Sequence, residues 1–378
     1  PEGPSQMSLT VFSHLKLSRR QALLGMAVLP GLLPAAGKAK DKVDIALDRG
    51  ARHIVNSQEA DGTFTDPKAR DSAKNGYALT ALGLMALASI GHQPGDPNRE
   101  GIAMKRALGF MLRNDRRRNR SGGPYEYYGS DGGRMYGHGI ATLCLSEMMG
   151  MGVDRDQERL LRKYTTKAVD LILVSQKANK RNPAHRGGWR YDPTSGDSDL
   201  SVTVWQLMAL RSAKNAGINV PKEAIDMAVR YLKRSYYSPR DARGRPVNLN
   251  SGCGYMPNQP PRYSTTAAGL LSLQVCGEYD APEVIGSVNW LKRKAVNKRE
   301  QWFYYGTYYY SQGMQKRKGD TARNARDTTE KLLMPLQSVD GSWSGNNGVE
   351  AGAGRVYCTS LAMLSLSVKY HFLPIYQH

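Results

Sequence analysis

One run recurs through this chain: a glutamine ends a helix, an Asp-Gly turn places an aromatic, and an apolar helix follows. Its first copy reads Ser57-Gln58-Glu59-Ala60-Asp61-Gly62-Thr63-Phe64 and leads into the apolar run from Gly76 to Leu87. The apolar half returns from Ser201 to Leu210, from Tyr263 to Leu273 and from Tyr357 to Leu366. Thr80, Thr203, Thr266 and Thr359 hold equivalent places, with Thr142 in a looser fifth copy, at intervals of about sixty residues. The last interval is longer and leaves room for an irregular copy around Tyr308 to Met314. Such repetition admits few folds, because each unit must bury its apolar side against its neighbours.

The two helices of a unit differ in kind. The first is amphipathic: Val43, Leu47, Ala51, Ile54 and Val55 mark one face of the helix ahead of Gln58. The second is apolar nearly all round, as from Ala78 to Ile90, and such a helix must be buried on every side. Pro221 and Pro282 stand where the fourth and fifth amphipathic helices begin, a position that tolerates proline. Alternating β-branched runs are missing. The pattern predicts an all-α protein, an α/α toroid of about six helix pairs with the apolar helices inside.

The repeats begin near residue 41 and make residues 41–378 one domain. Residues 1–40 are of another character. Arg19-Arg20 precedes an apolar stretch to about Ala36, broken by Pro30 and Pro34 and followed by Gly37-Lys38-Ala39. That layout reads as a twin-arginine-type signal peptide, although Ala22 stands where the usual phenylalanine would. The stretch is shorter than the ~20 residues a membrane span needs. The expectation is an exported bacterial protein, periplasmic or associated with the cell envelope.

Lys and Arg number 53 against 33 Asp and Glu, a formal charge of +20. The basic residues cluster in loops and at helix ends, at 113–120, 177–181, 240–245, 292–299 and 316–318. They form either a solvated surface or one that attracts an anionic membrane or an acidic polymer. No nucleic-acid recognition motif accompanies them. Cys144, Cys253, Cys276 and Cys358 make no disulfide framework and contain no CxxC; most read as small buried hydrophobes.

The glutamine-turn-aromatic element resembles the QW motif of the terpenoid cyclase and protein prenyltransferase superfamily. Gln58/Gly62/Phe64 and Gln337/Gly341/Trp343 match it closely, and Gln176/Gly188/Trp189 matches with a longer loop. The length is similar to that of a prenyltransferase β-subunit, of one squalene–hopene cyclase domain, or of bacterial squalene-cyclase-like repeat proteins. The resemblance implies an acid at the mouth of the third inner helix, where Asp197-Ser198-Asp199-Leu200 looks like a cyclase Asp-x-Asp-Asp with its last carboxylate replaced. Asp199 is then the proton donor and Asp197 its support, while either Ser198 or Asp199 serves equally as a helix N-cap. The zinc set of prenyltransferases cannot be assembled around Cys253 or Cys358, so no metal or cofactor is expected. A complement-type thioester is excluded, because Tyr279 follows Cys276-Gly277-Glu278 where glutamine is required.

The ligand-facing candidates are His138, Tyr136, Tyr77, Tyr263, Tyr308, Tyr309, Tyr357 and Trp205, residues of the inner helices. Aromatic walls stabilise carbocations or line lipid and sugar clefts. Glu126, Asp131, Glu147 and Asp199 could supply a carboxylate pair for glycoside hydrolysis, and nothing in the sequence selects one. The leading expectation is an isoprenoid or other apolar ligand in the central cavity, with proton-initiated chemistry as the catalytic form. The alternatives are a non-catalytic binding protein using its basic rim for a protein, an anionic membrane or an acidic polymer, and a polysaccharide lyase or hydrolase.

Overall fold

The computed structural model describes residues 40–113, 115, 124–294, 296–346 and 348–377. The signal-like segment, most of the 113–120 basic run and Gly122-Gly123 lie outside the described residues.

Among the described residues six amphipathic helices lie outside: α1 (Lys42–Asn56), α3 (Arg99–Leu112), α5 (Arg155–Gln176), α7 (Lys222–Ser235), α9 (Pro282–Arg293) and α11 (Gly319–Leu333). They alternate with the inner helices α2 (Gly76–Ala88), α4 (Arg134–Met148), α6 (Leu200–Asn215), α8 (Tyr263–Val275), α10 (Phe303–Gln315) and α13 (Arg355–Leu366). A six-residue helix, α12 (Gly348–Ala353), precedes the last. Each inner helix packs on the next, and α13 packs on α2, so the ring closes. Closure removes the exposed end repeats that an open solenoid must cap. Local signals start several helices. Asp41 and Asp44 form a capping box at α1, Asn98, Asp154 and Asp199 cap α3, α5 and α6, and Pro282 opens α9.

The recurring turn ties the units together. The side-chain amide of Gln58 donates to Gly62 O (3.1 Å) within its own turn and to Ala103 O (2.8 Å) on α3. Gln176 does the same to Gly187 O and to Ala224 O on α7, and Gln337 to Gly341 O and to Ala46 O on α1. The last of these joins the end of the repeat array to its beginning. In the same copies the aromatic's N–H donates to an inner-helix threonine: Phe64 to Thr80, Trp189 to Thr203, Trp343 to Thr359. The recurrent threonines therefore accept a buried backbone hydrogen bond. The glycine of the turn has positive φ at Gly62, Gly187 and Gly341, so the third copy uses Gly187 where the sequence suggested Gly188. A Cβ at these three would come within 2.6, 2.2 and 2.3 Å of Arg106 O, Met227 O and Arg49 O on the following outer helix.

In the second and fourth units the residues at the turn change. Cys253 takes the aromatic's place and donates its N–H to Thr266. In the second unit Tyr128 N donates to His138 Nδ1 (3.3 Å), and His138 Nε2 lies 3.1 Å from Ala168 O on α5. The imidazole thus takes the threonine's place as acceptor and adds a bond to the next outer helix.

Candidate functional site

The N-terminal ends of all six inner helices face one end of the toroid, and there they enclose a cavity of about 810 Å³. Its floor is aliphatic, from Ala78, Leu79 and Leu82 on α2 and Ile140 on α4. Tyr136, Tyr263, Tyr305 and Tyr357 form the wall above, and Tyr191, Tyr255, Trp290 and Trp302 stand toward the rim. Arg134, Arg262 and Lys294 line it with the carboxylates of Asp71 and Glu300. Among the described residues no carboxylate pairs with Arg262 or Lys294. Six helix N-termini converging on one space favour negative charge there, in the same sense as the cations.

Arginines and tyrosines alternate along one side. Arg134 lies over Tyr191 (5.6 Å), Arg190 over both Tyr191 (5.1 Å) and Tyr255 (5.7 Å), and Arg262 over Tyr255 (5.7 Å). The Tyr191 and Tyr255 hydroxyls share a hydrogen bond of 2.6 Å. This ladder was not singled out from the sequence; Arg190-Tyr191, directly after the turn residue Trp189, was the available signal.

Of the expected ligand residues, Tyr136, Tyr263 and Tyr357 line the cavity. The Tyr263, Tyr305 and Tyr357 rings are more than nine-tenths buried, and their hydroxyls lack a hydrogen-bond partner. Tyr308, Tyr309 and Trp205 lie beneath it. Trp205 stacks on Tyr308 (6.0 Å, 8°) and meets Tyr309 edge-on (5.6 Å), closing the toroid axis with aromatic rings. Tyr77 also stands off the cavity, its hydroxyl donating to Asp115 (2.7 Å) and its ring against Phe110 and Tyr128.

The expectation that His138 faces the mouth is corrected: it is fully buried and both ring nitrogens are engaged by backbone groups. Burial pushes its pKa down to about 4 against the bond to Ala168 O, so the ring is neutral with its proton on Nε2.

Asp199 is also fully buried and caps α6. Its Oδ1 accepts from Val202 N (2.9 Å) and Ser201 Oγ (2.7 Å), and its Oδ2 lies 3.3 Å from Arg190 Nε without a well-aligned hydrogen bond. Burial raises its pKa, opposed by the Val202 and Ser201 bonds and by Arg190. Asp197 pairs with the same guanidinium at 2.7 Å. Arg190 therefore brings the two acids together, but the nearest of this group to line the cavity is Ser201.

The other carboxylates considered for glycoside chemistry do not line it either. Asp131 accepts from Tyr77 N at the start of α2, and Glu126 lies 3.9 Å from Lys167. Glu147 accepts from Ser212 and from Ile375 N at the opposite end of the ring, where Tyr376 bonds Tyr308 and seals the axis. Among the described residues no cluster of three metal-ligating side chains occurs, and no helix is long and apolar enough to cross a membrane.

A family model for the prenyltransferase alpha-alpha toroid domain matches residues 16–134 and 154–374. No curated protein matches the chain. Among solved structures, an alpha-1,6-mannanase of a Salegentibacter species is similar in fold, with 12% identity over 86% of this chain and 98% of that one and a TM-score of 0.57. A cellobiose 2-epimerase of Spirochaeta thermophila gives 14% identity, 85% and 96% coverage, and a TM-score of 0.57. A type II terpene cyclase variant of Scytonema, in complex with geranylgeranyl dihydroxybenzoate, gives 14%, 86% and 96%, with a TM-score of 0.50. At such identities the likeness is one of fold.

Proposed function

The chain belongs to the prenyltransferase alpha-alpha toroid domain family, and from that premise we propose that its mouth cavity binds a small amphiphile with an isoprenoid or similar apolar body. The observation that carries this reading is the layering of the cavity: an aliphatic floor, a tyrosine wall and a cationic rim. An apolar tail gains about 25 cal/mol per Å² of surface it buries on the floor and wall. A polar or anionic head meets the arginines and the helix N-termini above. A volume of about 810 Å³ falls within the range of small-molecule sites. The Scytonema cyclase, whose solved complex holds an isoprenoid chain on a dihydroxybenzoate head, supports the same class of ligand.

In the catalytic form of this reading Asp199 supplies a proton. Its buried carboxyl retains the proton more readily than an exposed one, and the Ser201 hydroxyl stands between it and the cavity. Asp197 helps by sharing Arg190. Purified protein incubated with squalene and with geranylgeranyl compounds bearing anionic heads, natural chain against Asp199→Asn, tests both claims. Retention of the headed isoprenoid by both proteins and product from the natural chain alone is expected. Retention by neither defeats the binding reading; equal product from both defeats the role of Asp199.

A carbohydrate ligand is the second reading, favoured by Asp71 and Glu300 reaching the cavity beside Trp290 and Trp302. Aromatic faces and carboxylates are also what sugar sites use. Tight retention of manno-oligosaccharides, with no isoprenoid bound, would place it first. Export through the 1–40 segment is part of the proposal and is tested by the location of a tagged full chain. The +20 charge further supports attraction to an anionic surface, read from binding that weakens with salt.

A further inference from the structure

Glu350 belongs to α12, whose Val349 and Ala353 line the cavity. Gly348 and Val349 also border a second hollow of about 450 Å³, lined with Arg70, Asp71, Arg299 and Gln301. The short helix therefore divides the cavity from an outer hollow. Its ends are tied by backbone groups: Gly352 O accepts from Asp71 N (3.0 Å), Glu350 O accepts from Gly354 N (3.3 Å) and from Cys358 Sγ (3.6 Å), and Gly354 follows at φ 95°.

The strongest tie is the Glu350 carboxylate. It is fully buried and accepts from the N–H groups of Tyr304 and Tyr305, each at 3.1 Å, in the first turn of α10. The Tyr305 ring lines the cavity and packs on Tyr136 and Tyr309. One side chain thus fixes a wall helix and a wall ring together. We propose that α12 is a latch between the cavity and the outer hollow, and that Glu350 is the residue positioning both the latch and Tyr305 at the ligand.

The latch responds to pH in a definite sense. Burial pushes the Glu350 carboxyl up to about 7, against the pull of the α10 N–H groups. With α12 swung out, the carboxyl meets water and returns to the ordinary range near 4.5. The closed form holds its proton more tightly, so acid keeps the latch shut. Opening gains about tenfold per pH unit between roughly 4.5 and 7, and levels off above. The groups around it are Tyr304 and Tyr305 from α10 and Tyr357 and Cys358 from α13, with Asp66, Arg70 and Asp71 across α12. Burial raises the three phenols and the thiol well above neutrality, which leaves them uncharged through this window.

Amide hydrogen exchange of residues 348–353 in the full chain, corrected for intrinsic rates, tests the latch without a ligand and so stands apart from the reading of the cavity. Exchange in the natural chain should rise about sixtyfold from pH 5 to pH 7.5. Glu350→Gln keeps an acceptor oxygen and cannot ionise, so it should stay slow at both values. Entry of the amphiphilic anion 1-anilinonaphthalene-8-sulfonate should follow the same pattern. An equal pH slope in Glu350→Gln, or flat exchange in the natural chain, overturns the proposal. Should the Gln variant fail to fold, the natural chain's own profile still decides.

Discussion

The units built on a glutamine turn and the units that lack one reach the same end by different chemistry. In the first, third and sixth, an amide, a threonine hydroxyl and a left-handed glycine satisfy the turn with groups that do not titrate. In the second, His138 accepts in the threonine's place and bonds α5 through Nε2; at the start of α10, in the fifth, Glu350 accepts the helix N–H groups. What the repeat preserves is satisfied backbone hydrogen bonding, since a buried orphan costs about 1–3 kcal/mol. The substituted units place ionisable groups in the interior, and their two shifts have opposite signs: His138 is pushed down, Glu350 up. The glutamine turns themselves hold no titrating group, whereas His138 and Glu350, like Asp199 at the start of α6, make stability depend on pH.

The largest expected effect breaks a regular unit. Trp343 is fully buried and donates from Nε1 to Leu333 O (2.8 Å). Trp343→Ala should lower unfolding stability by about 4 kcal/mol, read from urea melts. Trp302→Ala at the rim, with its side chain partly in water, should cost under about 1 kcal/mol while weakening ligand binding. Near-equal losses would show that the regular and lining aromatics share one structural role.

His138 sharpens the other half of the comparison. Its pKa falls to about 4 in the folded chain from about 6.5 unfolded, so the unfolded chain binds the extra proton below pH 6.5. The stabilisation is complete above 6.5 and is lost as pH falls through 4, about 3 kcal/mol in all. His138→Gln should flatten that part of the pH–stability curve. Glu350 acts the other way, its contribution falling as pH rises from about 4.5 to about 7. A curve with the same slope in both variants would remove the distinction between the units.

Gln337 ranks next. Gln337→Leu strands Ala46 O and Gly341 O at the join between the last unit and the first, and should cost about 2 kcal/mol. Gln58→Leu should cost about the same, because its two bonds are equivalent. A much larger loss at Gln337 would mean that ring closure itself, rather than the two bonds, is what the residue secures.

The scaffold was legible because its signals are local and repeated: Gln58, Gly62, Phe64 and Thr80 each recur in the same order, and each proves to be a partner in one bonded turn. The reading of Asp199 as an N-cap also follows from its place before an apolar run. The site was far less legible. An inner helix buried on every side gives no periodic clue to which residue faces the axis. Tyr305, Tyr308 and Tyr309 are alike in sequence, yet the first lines the cavity and the other two close the axis beneath it. Only the ring of neighbouring helices fixes that register. Glu350, and the reach of the ladder from Arg190 and Tyr191 to Arg134, Tyr255 and Arg262, were hidden for another reason: these partners lie on other units, where spacing along the chain carries no information.

The smallest effect is expected at Cys253, and it tests how far a substituted unit has departed from the regular ones. Its Sγ occupies the place of Phe64 or Trp343, and a Cβ on Gly269 would approach it at 2.8 Å, much as one on Gly83 would approach Phe64 at 2.6 Å. The N–H bond to Thr266 is made by the backbone and survives any side chain. Cys253→Ala therefore removes only a small buried sulfur and should cost about 1 kcal/mol, a quarter of the Trp343 loss. Burial pushes the thiol up to about 12, so the folded protein should leave Cys253 unlabelled by a thiol reagent at pH 8 until it unfolds. Rapid labelling of native protein at this residue would mean that the fourth turn opens to solvent, and that the cysteine has loosened the unit beyond exchanging an aromatic for a small apolar group.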